Sequence, residues 1–114
     1  MQTQRTSHGT VHPGLLLRDT VLPALQLSVS QAARDLCIAR QTLHRILAGE
    51  AAISLDMAVR LEKLCGLPWQ FWIERQHRHE LKRIAFENRE LIPRIPSRSL
   101  PENVIKRIGA LHDG

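Results

Sequence analysis

Ser28-Val29-Ser30-Gln31-Ala32-Ala33-Arg34-Asp35-Leu36-Cys37-Ile38-Ala39-Arg40-Gln41-Thr42-Leu43-His44-Arg45-Ile46-Leu47-Ala48-Gly49 holds two short helical patterns with a break between them. In the first, Val29, Ala32, Ala33 and Leu36 recur at i, i+3, i+4, i+7 and share one helix face. Ser28 with Gln31 three residues on forms a capping box that predicts where this helix starts. In the second, Leu43, Ile46 and Leu47 make the inward stripe. Arg40, Gln41, His44, Arg45 and Ala48 fall on the opposite side. Ala33 is small at the point where two helices must cross steeply. The stretch reads as a helix-turn-helix.

The outward face carries side chains that read base edges: Arg forks onto guanine, Gln onto adenine, and His or Thr can donate to base or phosphate. The same pattern also fits a helical hairpin whose polar side is merely solvated. Charge favours the first reading. The formal net charge is +5, and most of the 16 basic residues are Arg, the cation that pairs bidentately with phosphate and guanine. The excess concentrates on 28–49, where Arg34, Arg40 and Arg45 meet only Asp35, and again after Pro93. That distribution is expected if the first touches nucleic acid and the second is a solvated or phosphate-contacting arm.

At 114 residues the chain suits one domain with one core. No run approaches the roughly 18 apolar residues of a membrane span, and the N-terminus lacks the apolar centre of a signal peptide. A cytoplasmic protein without membrane attachment is the expectation. Cys37 and Cys65 stand alone inside helical patterns, with no spacing for a disulfide framework or zinc site. Both are expected to be small buried hydrophobes.

Outward from this stretch, 1–11 is polar and aperiodic and reads as a flexible lead-in. His12-Pro13-Gly14 introduces a short first helix over Leu15 to Leu22, which Pro23 should end or kink. Leu17 with Val21, and Leu22 with Leu25, are its expected core residues; Leu15 is left over for contact with another chain. After Gly49, Ser54 suits the N-cap of a fourth helix, with Leu55, Met57 or Ala58, Leu61 and Leu64 on its apolar side and Gly66 as its stop. Pro68, at a first helical position, opens a longer fifth helix ending near Asn88 or Glu90, with Trp69, Trp72, Ile73, Leu81 and Ile84 at helical spacing. Of its aromatic residues Phe71 is expected to face outward. Pro93, Pro96 and Pro101 then make a non-helical link to 102–111, where Val104, Ile105, Ile108 and Leu111 form a narrow apolar stripe in need of a surface to cover. The expected fold is all-α, with a helix-turn-helix domain over 12–92 and a proline-linked extension over 93–114 that bears a short amphipathic helix.

Three pieces taken together carry a resemblance: His12-Pro13-Gly14, then Ile53-Ser54-Leu55-Asp56-Met57-Ala58-Val59-Arg60-Leu61, then Pro68-Trp69-Gln70-Phe71-Trp72. With them the chain resembles the HigA family of antitoxins from Val11 to Leu81. The resemblance implies the five-helix lambda-repressor-like fold. It also implies two activities: binding palindromic operator DNA as a homodimer to repress a toxin–antitoxin operon, and neutralising a HigB-like mRNA-cleaving ribonuclease toxin. On this pattern Arg40, Gln41, Thr42, His44 and Arg45 meet the DNA, and Ser28 and Gln31 face the phosphate backbone. Four features depart from the family pattern. Cys37 stands where Gly is usual in the turn, so either the turn avoids positive φ or it carries roughly 1 kcal/mol or more of strain. Ala39 replaces the usual Ser cap of the third helix. Pro23 and Gln26 differ from the Pro and Gly usual near the end of the first helix, and the segment after Pro93 lies outside the shared pattern.

Other chemistry finds little support. His77 and His79 lie two apart on nearly opposite sides of a helix and do not match a His-Glu-x-x-His zinc arrangement, so no metal is expected. Neither Cys has a His at a useful offset and there is no Gly-rich phosphate loop, so neither an enzyme nor a cofactor is expected. Three functions stay open: a DNA-binding antitoxin with a toxin partner, a stand-alone phage-type repressor without one, and a protein-binding module whose hairpin does not read DNA.

Overall fold

His12 starts the first helix. In the computed structural model, which describes residues 11–109, its Nδ1 accepts a hydrogen bond from the Gly14 N–H at 2.9 Å. Pro13 follows at the first helical position, where no N–H donor is needed. Helix α1 is built from three consecutive segments: α-helix Pro13–Leu16, a π turn Leu17–Val21, and α-helix Leu22–Leu25. The π turn answers Pro23, which offers no N–H to the Asp19 carbonyl and whose ring would collide with it in a regular helix. Widening the turn, with the Leu22 N–H bonded back to the Leu17 carbonyl, lets the helix absorb Pro23 and run two residues further. The helix therefore stops not at Pro23 but at Gln26, which takes a left-handed conformation at φ 58°. Leu17 and Leu22 are buried and Val21 half-buried as expected, whereas Leu25, beside that turn, is exposed.

The remaining helices are α2 (Val29–Leu36), α3 (Arg40–Leu47), α4 (Leu55–Cys65), α5 (Trp69–Glu87) and, beyond a 3-10 turn at Ile92–Arg94, α6 (Glu102–Arg107). Among the described residues there is no strand, and the all-α arrangement of five helices with a proline-linked helical tail is the one expected. Ser28 and Ser54 cap α2 and α4, each hydroxyl accepting from the third following N–H at 3.1 Å. Gly66, left-handed, ends α4. Pro68 stands at the N-cap of α5 and not inside it. The lead-in expected over 1–10, and Leu111, lie outside the described residues.

One core joins α1 to α5: Leu17 and Leu22, Ala32, Ala33 and Leu36, Leu43, Ile46 and Leu47, Met57, Ala58 and Leu61, Trp72, and Ile53 from the α3–α4 connector. Trp72 is fully buried and meets Phe71 edge-on at 5.3 Å, so Phe71 packs against the core. Trp69 is the outward ring, the reverse of the expected assignment. It is the first residue of α5, as the exposed Leu55 is of α4. Leu81 and Ile84, also expected inside, are exposed: Leu81 sits about 180° around α5 from the buried Trp72 and faces away from the core, and Ile84 lies in the last turns, where every residue from 81 to 87 is exposed. The molecule is accordingly elongated, with extents of 53 × 31 × 25 Å. Cys37 is exposed and Cys65 half-buried, so neither is the fully buried hydrophobe expected.

Candidate nucleic-acid interface

Helix α3 is held from three sides. The first is the turn from α2, where Cys37 adopts φ 59° and ψ 44°; the left-handed, strained alternative is the one realised. The Cys37 and Ile38 N–H groups bond back to the Arg34 and Ala33 carbonyls at 3.1 and 3.0 Å. From α4, Arg60 donates to the Leu36 and Cys37 carbonyls at 2.8 and 3.0 Å and pairs with Asp56 at 2.9 Å. One guanidinium thus satisfies the end of α2 and ties the turn to α4. The Asp56–Arg60 spacing is visible in sequence, but the two carbonyls it serves are not. Replacing Cys37 by Gly should remove the left-handed cost and raise stability by about 1 kcal/mol. The check is the urea midpoint at constant m; an unchanged midpoint would mean that glycine's extra freedom in the unfolded chain cancels the gain.

The second support is α1, whose start abuts the last turn of α3. A Cβ at Gly14 would overlap the Ile46 carbonyl oxygen and lie 2.8 Å from its carbon and 3.0 Å from His12 Nδ1. His12-Pro13-Gly14 is therefore a bracket: a cap, a helix start, and a bare backbone against which α3 rests. The third is the connector after α3. Gln76 of α5, buried, accepts from the Ile53 N–H at 2.8 Å and donates to Glu80 at 3.0 Å. Sequence reading missed Gln76 because a single polar residue on an otherwise mixed helix gives no signal of its partner.

His12 is buried where α1, the connector and α5 meet. Burial lowers its pKa below the usual imidazole value, and the nearby His79 ring, 5.1 Å away and edge-on, lowers it further. A hydrogen bond with the Ala51 backbone and the charge of Glu80 act in the opposite sense. Folded His12 thus resists protonation, while the unfolded imidazole titrates near about 6.5. Its contribution to stability should be complete above about pH 6.5 and be lost progressively as pH falls below that value towards the lower folded pKa. His12→Asn, which keeps a capping acceptor, should flatten that pH dependence in denaturant titrations; an unaltered slope would place its origin elsewhere.

On this seat the outer face of α3 is free. Arg40, Gln41, Thr42, His44 and Arg45 are all exposed, while Leu43, Ile46 and Leu47 are each at most 4% exposed. Eight residues give a rod of about 12 Å. Arg40 donates to Ser30 of α2 at 3.0 Å and Arg45 to the Glu50 carbonyl at 3.4 Å. Ser28 is exposed at the start of α2, its hydroxyl engaged by the Gln31 N–H. Gln31 is half-buried and links Arg34 and Asp35 through its amide, each at 2.7 Å. The Arg40–Ser30 contact brings the front of α3 and the start of α2 onto one surface. Ala39 gives α3 no side-chain cap. Among the described residues no group of three His, Cys, Asp or Glu is placed to hold a metal ion, and no helix is long and apolar enough to cross a membrane.

Comparison with known proteins agrees with this geometry. A Helix-turn-helix family model (HTH_3) matches residues 19–72. Virulence-associated protein A of Dichelobacter nodosus is 32% identical over 96 residues, 82% of this chain and 92% of that protein. The Pseudomonas aeruginosa antitoxin HigA, solved with the higBA promoter, superposes with a TM-score of 0.71 at 31% identity over 76% of this chain and 96% of that one. An addiction module antidote protein of the HigA family from Coxiella burnetii superposes with a TM-score of 0.71 at 27% identity, over 79% of this chain and 98% of that one. Fold and site define a helix-turn-helix protein of the transcription-regulator class. Within that class the chain belongs to the HigA family of antitoxins.

Proposed function

We propose that this chain is a cytoplasmic antitoxin that binds operator DNA through α3 as a homodimer, represses its own toxin–antitoxin operon, and neutralises a HigB-like mRNA-cleaving ribonuclease. The observation that carries the DNA half is the two-sidedness of α3: three apolar residues anchored in the core, and Arg40, Gln41, Thr42, His44 and Arg45 turned to solvent. These five meet base edges and phosphates in a major groove, while Ser28 and Gln31 at the start of α2 lie along the phosphate backbone. A two-fold partner sets a second α3 about 34 Å away, one helical turn along. The domain over 12–92 does this work, and 93–114 is an extension outside it. The promoter-bound relative supports the reading for a chain of this family.

The test is binding of the full chain to a duplex from its own promoter across a range of salt concentrations. Affinity should fall steeply with salt, in proportion to the phosphates contacted. Arg40→Ala should cost about 1–3 kcal/mol. Salt-independent binding together with an unaffected Arg40→Ala variant would falsify the DNA reading. Co-expression with the neighbouring reading frame tests the toxin half: a stable complex lacking ribonuclease activity is expected, and no complex would leave a stand-alone repressor.

A further inference from the structure

We infer that Ser30 is a positioning residue that sets base preference at one operator position, by holding the Arg40 guanidinium so that one hydrogen-bonding edge faces outward. The inference rests on the reading that α3 binds DNA. Ser30 is the second residue of α2 and Arg40 the first of α3; the helix-turn-helix folds them together, and Arg40 Nη1 donates to Ser30 Oγ at 3.0 Å. Ser30 is half-buried on a helix whose start is fixed by the Ser28 cap at 3.1 Å, so the acceptor has a defined place. The guanidinium is a rigid planar fork with five N–H donors. Tethering Nη1 leaves the opposite edge, Nε and Nη2, as two parallel donors; among the described residues they have no partner. Two parallel donors match the paired N7 and O6 acceptors of guanine in the major groove. Untethered, the same exposed side chain samples several rotamers and settles as readily on a phosphate, which carries no sequence information.

The experiment uses the full chain and a preferred duplex selected from a randomised pool by the unaltered protein. Affinity is then measured for that duplex and for every single base-pair change in it. The proteins compared are the unaltered chain, Ser30→Ala, Ser30→Thr, Arg40→Ala and the double variant Ser30→Ala/Arg40→Ala. Ser30→Ala should weaken discrimination roughly 3- to 10-fold, at the same base pair that Arg40→Ala relaxes and at no other. The salt slope should be unchanged. Ser30→Thr keeps the hydroxyl and should keep the preference, and Ser30→Ala should add nothing once Arg40 is gone. A loss spread evenly over all duplexes, or one of equal size in the Arg40→Ala background, would overturn the positioning role. Failure of the underlying reading looks different: Arg40→Ala would then bind every duplex as the unaltered chain does.

Discussion

Gly14→Ala is expected to be the most damaging single-methyl change in this protein, lowering stability by about 3 kcal/mol or more. The added Cβ has nowhere to go: it meets the Ile46 backbone carbonyl, not the flexible end of a side chain, and His12 Nδ1 closes the other side. Relief requires α1 to back away from α3, which unseats the helix that presents Arg40 to Arg45. DNA binding should therefore fall together with the melting temperature. Gly66→Ala is the control. Its φ of 88° brings the left-handed penalty, but nothing lies within 4 Å of the new Cβ, so the loss should be only about 1–2 kcal/mol. Equal losses at the two positions would show that close approach at Gly14 is not what matters.

Gln76→Leu should cost about 1–3 kcal/mol, although it exchanges a buried polar group for an apolar one. The reason is the partner it leaves behind. Ile53 is 1% exposed and its N–H bonds to the Gln76 side-chain oxygen, so without that oxygen a buried donor goes unpaired. Chemical denaturation measures the cost, and hydrogen exchange at the Ile53 amide locates it. The exposed Gln70 on the same helix provides the comparison: Gln70→Leu should change stability by no more than about 0.5 kcal/mol. A Gln76 variant as stable as the unaltered chain would mean that the connector finds another acceptor.

Much of this molecule is legible in the chain alone. Apolar recurrence in Val29 to Leu36, and Leu43 with Ile46 and Leu47, identifies both helices of the motif and the side of α3 turned away from the core. Ser28, Ser54 and Gly66 mark helix ends because capping is a local exchange between a side chain, or a left-handed residue, and the backbone a few positions away. Such features depend on near neighbours, and near neighbours are written in order.

What the chain order left open depends on distance between segments. Periodicity grouped Trp69, Leu81 and Ile84 with Trp72 on the apolar side of α5, yet all three are exposed, because which face of so mixed a helix is buried is set by the neighbours that Trp72 and Gln76 pack against. It marked Pro23 as a break, while the π turn that accommodates it is one of two local solutions. Cys37 could have avoided positive φ; it does not, because the turn must bring α3 across α2 while Arg60 gathers the freed carbonyls from α4. Local order was enough for the helices, the caps at Ser28, Ser54 and Gly66, and the cationic face. How that face is held follows from packing across the fold, through Gly14 on Ile46, Gln76 on Ile53 and Arg60 on the turn, since each joins atoms from segments whose separation no local pattern encodes.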